Sequence, residues 1–158
     1  MKITDALLGE HAMLYALFTQ IGTQITEERT IEQLQASIEI LENQLWTHAQ
    51  IEEKYLFPAL EPHFGEMGPL AVMKAEHREI EDYLETAKSE EDVTQLKSHI
   101  MGLIDLSYGH FQKEEMVLFA MAKQFLSGVE QESLGDAWAD ERAVLIEGKG
   151  CPSMAAAG

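Results

Sequence analysis

Six side chains in this sequence have the types and spacing to hold metal: His11, His48, Glu52, His77, His110 and Glu114. Two pairs read His-x-x-x-Glu, at 48/52 and 110/114. Residues four apart on a helix point the same way. Here that direction is apolar. One stripe reads Leu34, Ile38, Leu41, Leu45, His48, Glu52 and Tyr55. The other reads Val93, Leu96, Ile100, Leu103, His110, Glu114, Val117 and Met121. A carboxylate on such a stripe is costly to bury without a partner. Four imidazoles and two carboxylates suit iron, zinc or manganese better than calcium, which prefers oxygen ligands. One tetrahedral zinc does not need six ligands. Two cations bridged by Glu52 and Glu114 use all six, each with two histidines, and leave room for a bridging oxide or hydroxide and a small ligand.

The elements that must position these residues are helices. The first is expected from about Asp5 to Gln24, capped by Thr4 or Asp5, with Leu7, Leu8, His11, Leu14, Tyr15, Phe18 and Ile21 inward. The second opens at Thr30 with Gln33 as capping-box partner and stops before Pro58. Ala59 to Gly68, with Pro62, His63 and two glycines, reads as a loop. The third starts at Pro69 and runs to about Ala87, with Leu70, Met73, His77, Ile80 and Leu84 on one side. The fourth runs from near Ser89 to Ser127, with Gly128 as its stop. A shorter fifth helix carries Leu134, Trp138, Val144 and Leu145.

Amphipathic helices with short connections predict an all-α, antiparallel up-down-up-down four-helix bundle with a short C-terminal fifth helix. It is expected over residues 1–147, with 148–158 as a flexible tail and no internal repeat. In such a bundle His11, His48 and His77 share a level roughly 9–14 Å from one end, at 1.5 Å of rise per residue. His110 joins that level if the fourth helix overhangs, with the fifth packed against the overhang. A third pair, His77/Glu81, shows that the spacing alone is unspecific. The placement of one inward histidine on each helix carries the argument. Ser107, small and one turn from His110, is expected to leave room for a ligand.

The bystanders have ordinary readings. Glu10, Glu53, Glu76 and Glu115 are expected in solvent, with Glu115 an alternative to Glu114 as the bridge. Glu81 is expected as an acceptor beside the site, with a seventh ligand as the alternative, and Tyr15, Tyr55, Tyr108 and Met73 in the core. His63 and His99 fall away from the site.

The chain has 158 residues and a net charge of −17, which opposes nucleic-acid phosphates. Its single cysteine, Cys151, forms no intrachain disulfide. No stretch approaches the roughly 20 apolar residues of a membrane helix, and nothing at the N-terminus reads as a secretion signal. The expectation is a cytoplasmic protein with no nucleic-acid or membrane partner.

One histidine in helix one, His-x-x-x-Glu in helix two, one histidine in helix three and His-x-x-x-Glu in helix four resembles the hemerythrin-like, or HHE cation-binding, domains. The resemblance covers about residues 4–127. It implies a four-helix bundle around a non-haem di-iron centre, with zinc or manganese as substitutes. Its ligand would be oxygen, nitric oxide or peroxide, or the protein would sense or supply iron. A redox enzyme turning over peroxide or nitric oxide is the alternative, as is a zinc-bound or metal-free structural bundle. Oxygen-carrying hemerythrins have a second histidine one turn before that of helix three, where this chain has Met73. They have an aspartate where it has Glu115. The pattern is nearer the iron-centre repair and iron-sensing members, although the repair proteins' cysteine-bearing N-terminal domain is not present in this sequence.

Overall fold

The computed structural model describes residues 1–65 and 68–145; the expected tail at 148–158 and Cys151 lie outside them. The described residues form helices and short connections, with no strand among them. Helix α1 spans Ile3–Thr26. Helix α2 covers 31–64 in three joined parts: Ile31–Ile51, a π-helical turn Glu52–Leu56, and Phe57–Phe64. Helix α3 is Pro69–Ser89. Helix α4 covers 93–125 as Val93–Lys113, a second π-helical turn Glu114–Leu118, and Phe119–Phe125. Helix α5 is Gly128–Glu141.

Local chemistry sets most of these boundaries. Thr30 and Gln33 form the expected capping box at the start of α2. Asp92 accepts from the Thr94 and Gln95 amides, so α4 opens at Val93, while Ser89 closes α3. Ser127 and Glu130 form a second capping box, which makes Gly128 the first residue of α5 and not the stop of α4. Helix α1 opens slightly early, at Ile3, without a side-chain cap.

Helix α1 packs on α2 and α4, α3 packs on the same two, and α2 meets α4 between them. The core divides into two apolar clusters. One contains Leu14, Leu45, Ile80 and Leu103; the other contains Leu7, Ile51, Met73 and Leu118. In each helix the inward histidine falls between these groups. The fold therefore sandwiches one polar layer between two apolar ones.

The two π turns correct the expected apolar seams. A π turn inserts one residue, and the inward face slips by one position. After Glu52 the buried residues are Leu56, Phe57 and Leu60, not Tyr55. After Glu114 they are Leu118, Phe119 and Ala122, while Val117 is 46% exposed. Helix α2 also continues through Pro58 to Phe64, where a loop was expected from Ala59. Pro58 falls in the first turn after the π segment, where the hydrogen-bond register returns from i−5 to i−4 and a proline lacking its N–H is tolerated. With α2 extended in this way, α4 does not overhang alone.

The π turns also mark an internal repeat, contrary to the expectation of none. Residues 48–57 are His-Ala-Gln-Ile-Glu-Glu-Lys-Tyr-Leu-Phe and 110–119 are His-Phe-Gln-Lys-Glu-Glu-Met-Val-Leu-Phe, identical at six of ten positions. Each repeat carries the same backbone irregularity.

Helix α5 packs chiefly on α1. Its buried face is Gln131, Gly135 and Ala139, flanked by Leu134 and Trp138. A Cβ on Gly135 would stand 2.0 Å from the Met1 carbonyl oxygen, so only glycine permits this approach. Val144 and Leu145, expected on its apolar side, lie beyond the helix and are exposed. The helix ends in a Schellman arrangement: Val144 N–H donates to Ala139 O and Ala143 N–H to Asp140 O. Ala143 takes φ +53° there. Among the described residues no helix is long and apolar enough to cross a membrane. Because a left-handed alanine is strained, Ala143→Gly is expected to stabilise the fold by roughly 0.5–1 kcal/mol. A thermal midpoint unchanged or lowered in the variant would contradict that reading of the helix end.

Candidate metal centre

The polar layer brings all six candidate residues together. His11, His48, His77 and His110 are each at most 4% exposed, and Glu52 and Glu114 are fully buried. Glu114 lies between the two pairs of histidines. Its Oε2 stands 3.1 Å from His11 Nε2 and 3.8 Å from His48 Nε2. Its Oε1 stands 2.8 Å from His110 Nε2 and 3.9 Å from His77 Nε2. Glu52 Oε2 reaches both pairs as well, 3.8 Å from His48 Nε2 and 3.4 Å from His77 Nε2. Two clusters of donor atoms result, His11–His48–Glu114 and Glu52–His77–His110–Glu114, each compact enough to surround one ion.

The outward nitrogens form a ring. His48 Nδ1 meets Glu10 of α1 at 2.8 Å. His77 Nδ1 meets Glu53 of α2 at 2.7 Å. His110 Nδ1 meets Glu76 of α3 at 2.9 Å. His11 Nδ1 meets Glu115 of α4 at 2.9 Å. Each helix thus supplies the carboxylate that orients the histidine of the next, and the circle closes. A carboxylate accepts, so each Nδ1 carries a proton, and Nε2 is the inward atom, which gives its lone pair to a metal when it is not itself protonated. This is the arrangement in which metal-bound histidines are held. Of the four glutamates expected in solvent, Glu53 and Glu115 keep much of that exposure, at 39% and 32%, while Glu10 and Glu76 are largely covered; all four bind site histidines. Each is adjacent in sequence to a buried His or Glu, the one signal that could have found them.

The inward atoms lack partners of their own. Both oxygens of Glu52 and of Glu114, with Nε2 of His77 and of His110, are buried without an aligned hydrogen bond. His11 Nε2 and His48 Nε2 face each other at 3.2 Å, about the span of two nitrogens each some 2.1 Å from one ion. Six buried donors of mixed nitrogen and oxygen, in two groups, fit a pair of transition-metal cations and not an all-oxygen calcium cage.

The remaining predicted bystanders fall as follows. Tyr15 donates to Glu115 Oε1 at 3.0 Å and stacks on Tyr108. Tyr55 donates to Glu141. Met73 is packed in the apolar core. Glu81 is exposed at the rim of a cavity and belongs to neither donor cluster. His63 packs near Phe125 and His99 pairs with Glu90. Ser107 is buried and donates to Leu103 O at 2.8 Å, and the cavity beside the histidines is lined by other residues.

Electrostatics show what the layer does without a cation. Burial lowers the His48 imidazole, but the charges of Glu52, Glu10 and Glu114 outweigh it and raise its pKa to about 10. Burial likewise lowers His77, and Glu114, Glu52 and Glu53 raise it to about 11. Burial raises Glu114, yet the four surrounding imidazoles pull it well below the carboxylate range. Glu52 is raised, by burial first and then by the charge of Glu114. Protons therefore balance the buried carboxylates when no metal does.

The hemerythrin HHE cation-binding domain family matches residues 2–122. The chain belongs to that family. Hemerythrin HHE membership and the buried His/Glu layer together make this a metal-binding helical domain. A DNA nickase of Nostoc sp. (strain PCC 7120 / SAG 25.82 / UTEX 2576) is 28% identical over 142 residues, 89% of this chain and 38% of that protein. The chain thus spans well under half the length of this relative. No solved structure matches it.

His48 and His77 have folded pKa values above the ordinary value of 6.5. The stability they contribute to the metal-free HHE domain is fully present below about pH 6.5 and lost as pH rises through 10 to 11. Urea midpoints of the metal-free chain are expected to fall between pH 6.5 and 9.5; a rise over that interval would contradict the assignment. Metal uptake near pH 7 should release protons, read as a dependence of binding heat on buffer ionisation enthalpy.

Proposed function

We propose that this HHE domain is a non-haem di-iron protein, with His11 and His48 on one ion, His77 and His110 on the other, and Glu52 and Glu114 between them. The observation that carries this is Glu114, whose two buried oxygens each face a different pair of histidines. Neighbouring helices in contact and joined by three or four residues support an antiparallel up-down-up-down arrangement of α1 to α4.

A cavity of about 410 Å³ opens between α2 and α3. His48, His77 and His110 line it together with Leu45, Ala49, Ile80 and Leu84, and Glu42, Glu81, Asp82 and Glu85 form its rim. The α1–α4 side is closed by aromatic packing, with Tyr15 stacked on Tyr108 at 4.8 Å and Phe111 against His11 at 4.2 Å. The reading is a small-molecule path to one side of the centre, of a size for oxygen, nitric oxide or peroxide. Bound iron supplies open coordination positions and one-electron redox chemistry. The protein's own groups orient the ligands, close the α1–α4 side and set the width of the path.

Met73, held in the apolar core, offers no third nitrogen to the His77 half. That favours sensing, supplying or repairing iron centres over stable oxygen carriage. Turnover of peroxide or nitric oxide is the second reading, favoured by the same open side. The net charge of −17 opposes a phosphate backbone, and no nucleic acid or membrane enters the proposal. A cytoplasmic location is part of it.

Anaerobically loaded protein should hold two irons per chain and, once oxidised, show the charge-transfer bands of a bridged pair. Glu114→Ala should release both ions together. Ala49→Phe fills the cavity beside His48. It should slow nitric oxide binding at least tenfold in stopped-flow mixing while leaving iron content at two. Unchanged binding rates would place the ligand path elsewhere.

A further inference from the structure

We infer that helix α5 is a positioning clamp for the His48 half of the centre, with Arg142 and Trp138 as the positioning residues. The inference rests on the di-metal reading above and goes beyond it, because α5 lies outside the residues that the family match covers.

The argument begins with the internal repeat. Glu76 orients His110 and is itself held by Lys113, three residues after His110 on the same helix. Glu10 orients His48 in the equivalent way. The repeat places Ile51 where Lys113 stands, and Ile51 is buried in the core. At that position α2 therefore has no cation to give Glu10, and its Lys54 is engaged by Glu141. Helix α5 supplies it. Arg142 Nε donates to Glu10 Oε1 at 2.6 Å and Trp138 Nε1 to the same oxygen at 2.8 Å, while Oε2 faces His48.

The same turn of α5 grips the other flank of that half. Glu141 accepts from Lys54 Nζ at 2.6 Å and from Tyr55 at 2.8 Å. Both belong to the π turn that begins with Glu52. The contact is not adventitious packing of a loose end. Gly135 brings the helix against the Met1 carbonyl, and the left-handed Ala143 terminates it directly after Arg142. One half of the centre is thus buttressed from within its own helix, and the other from a fifth helix.

A carboxylate that orients a ligating histidine is worth about 10–100-fold in metal affinity. The test uses the full chain loaded with ferrous iron and titrated with a competing chelator without oxygen. Wild-type protein should give two release steps. Arg142→Ala, which leaves Glu10 and Trp138 in place, should lower the threshold of one step by up to about 10-fold, at the low end of that range, and leave the other in place, and Arg142→Lys should recover part of the loss. Lys113→Ala should weaken the opposite step. In the metal-free chain, the Nδ1–H resonance of His48 should shift or broaden in Arg142→Ala while that of His77 stays. Release thresholds and His48 resonance both as in wild type would overturn the inference. So would equal weakening of both steps with every imidazole resonance disturbed, which marks a general loss of structure. If wild-type protein takes up no iron, the di-iron reading falls, and the His48 resonance alone decides whether α5 positions that ring.

Discussion

Two carboxylates sit fully buried at the centre of this bundle, and the arrangement of the chain follows from making that tolerable. Glu52 and Glu114 are fully buried between two apolar clusters. Isolated charges in such a place cost many kcal/mol unless neutralised. The fold surrounds them with four imidazoles, one from each of α1 to α4, and anchors each imidazole with a glutamate from a neighbouring helix. Protons or metal ions then complete the balance. The apolar clusters fix the depth of the layer, and the outer carboxylates fix the direction of its nitrogens.

The layer has an approximate two-fold pattern. An adjacent Glu-His pair in α1 is matched in α3, and the decapeptide of α2 is matched in α4, π turn included. A π turn that begins at the glutamate of each His-x-x-x-Glu releases the strict helical register at the buried carboxylate. The symmetry is broken where function would need it broken. Tyr15 and Glu81 occupy equivalent positions, four residues after His11 and His77. Tyr15 closes its side with hydrogen bonding and stacking, whereas Glu81 leaves the other side open at the cavity rim. Lys113 and Ile51 break it again, and α5 fills the difference.

Much of this was legible in the sequence. The 3.6-residue periodicity located the helices, and one inward histidine per helix located the layer, because both depend on local spacing. The capping box at Thr30 was legible for the same reason. The seam beyond Glu52 and Glu114 was misread, since an amphipathic count assumes an unbroken α-helix. The signal was present as three successive steps of four, His48–Glu52–Leu56–Leu60 and His110–Glu114–Leu118–Ala122. The role of the outer carboxylates was not legible because a glutamate next to a buried His or Glu lies off the apolar face of its own helix. Only the position of the neighbouring helix makes that direction the site. The roles of Trp138 and Arg142 depend on a contact more than 120 residues away in sequence from Glu10, as the structure places them.

The central claim is that these six side chains hold two metal ions. Anomalous diffraction at the iron edge from crystals of the iron-loaded chain tests it most directly. The account predicts two peaks in the polar layer, one beside His11 and His48 and one beside His77 and His110, with Glu114 between them. A single peak, or peaks outside the layer with the six residues as they stand here, would contradict it.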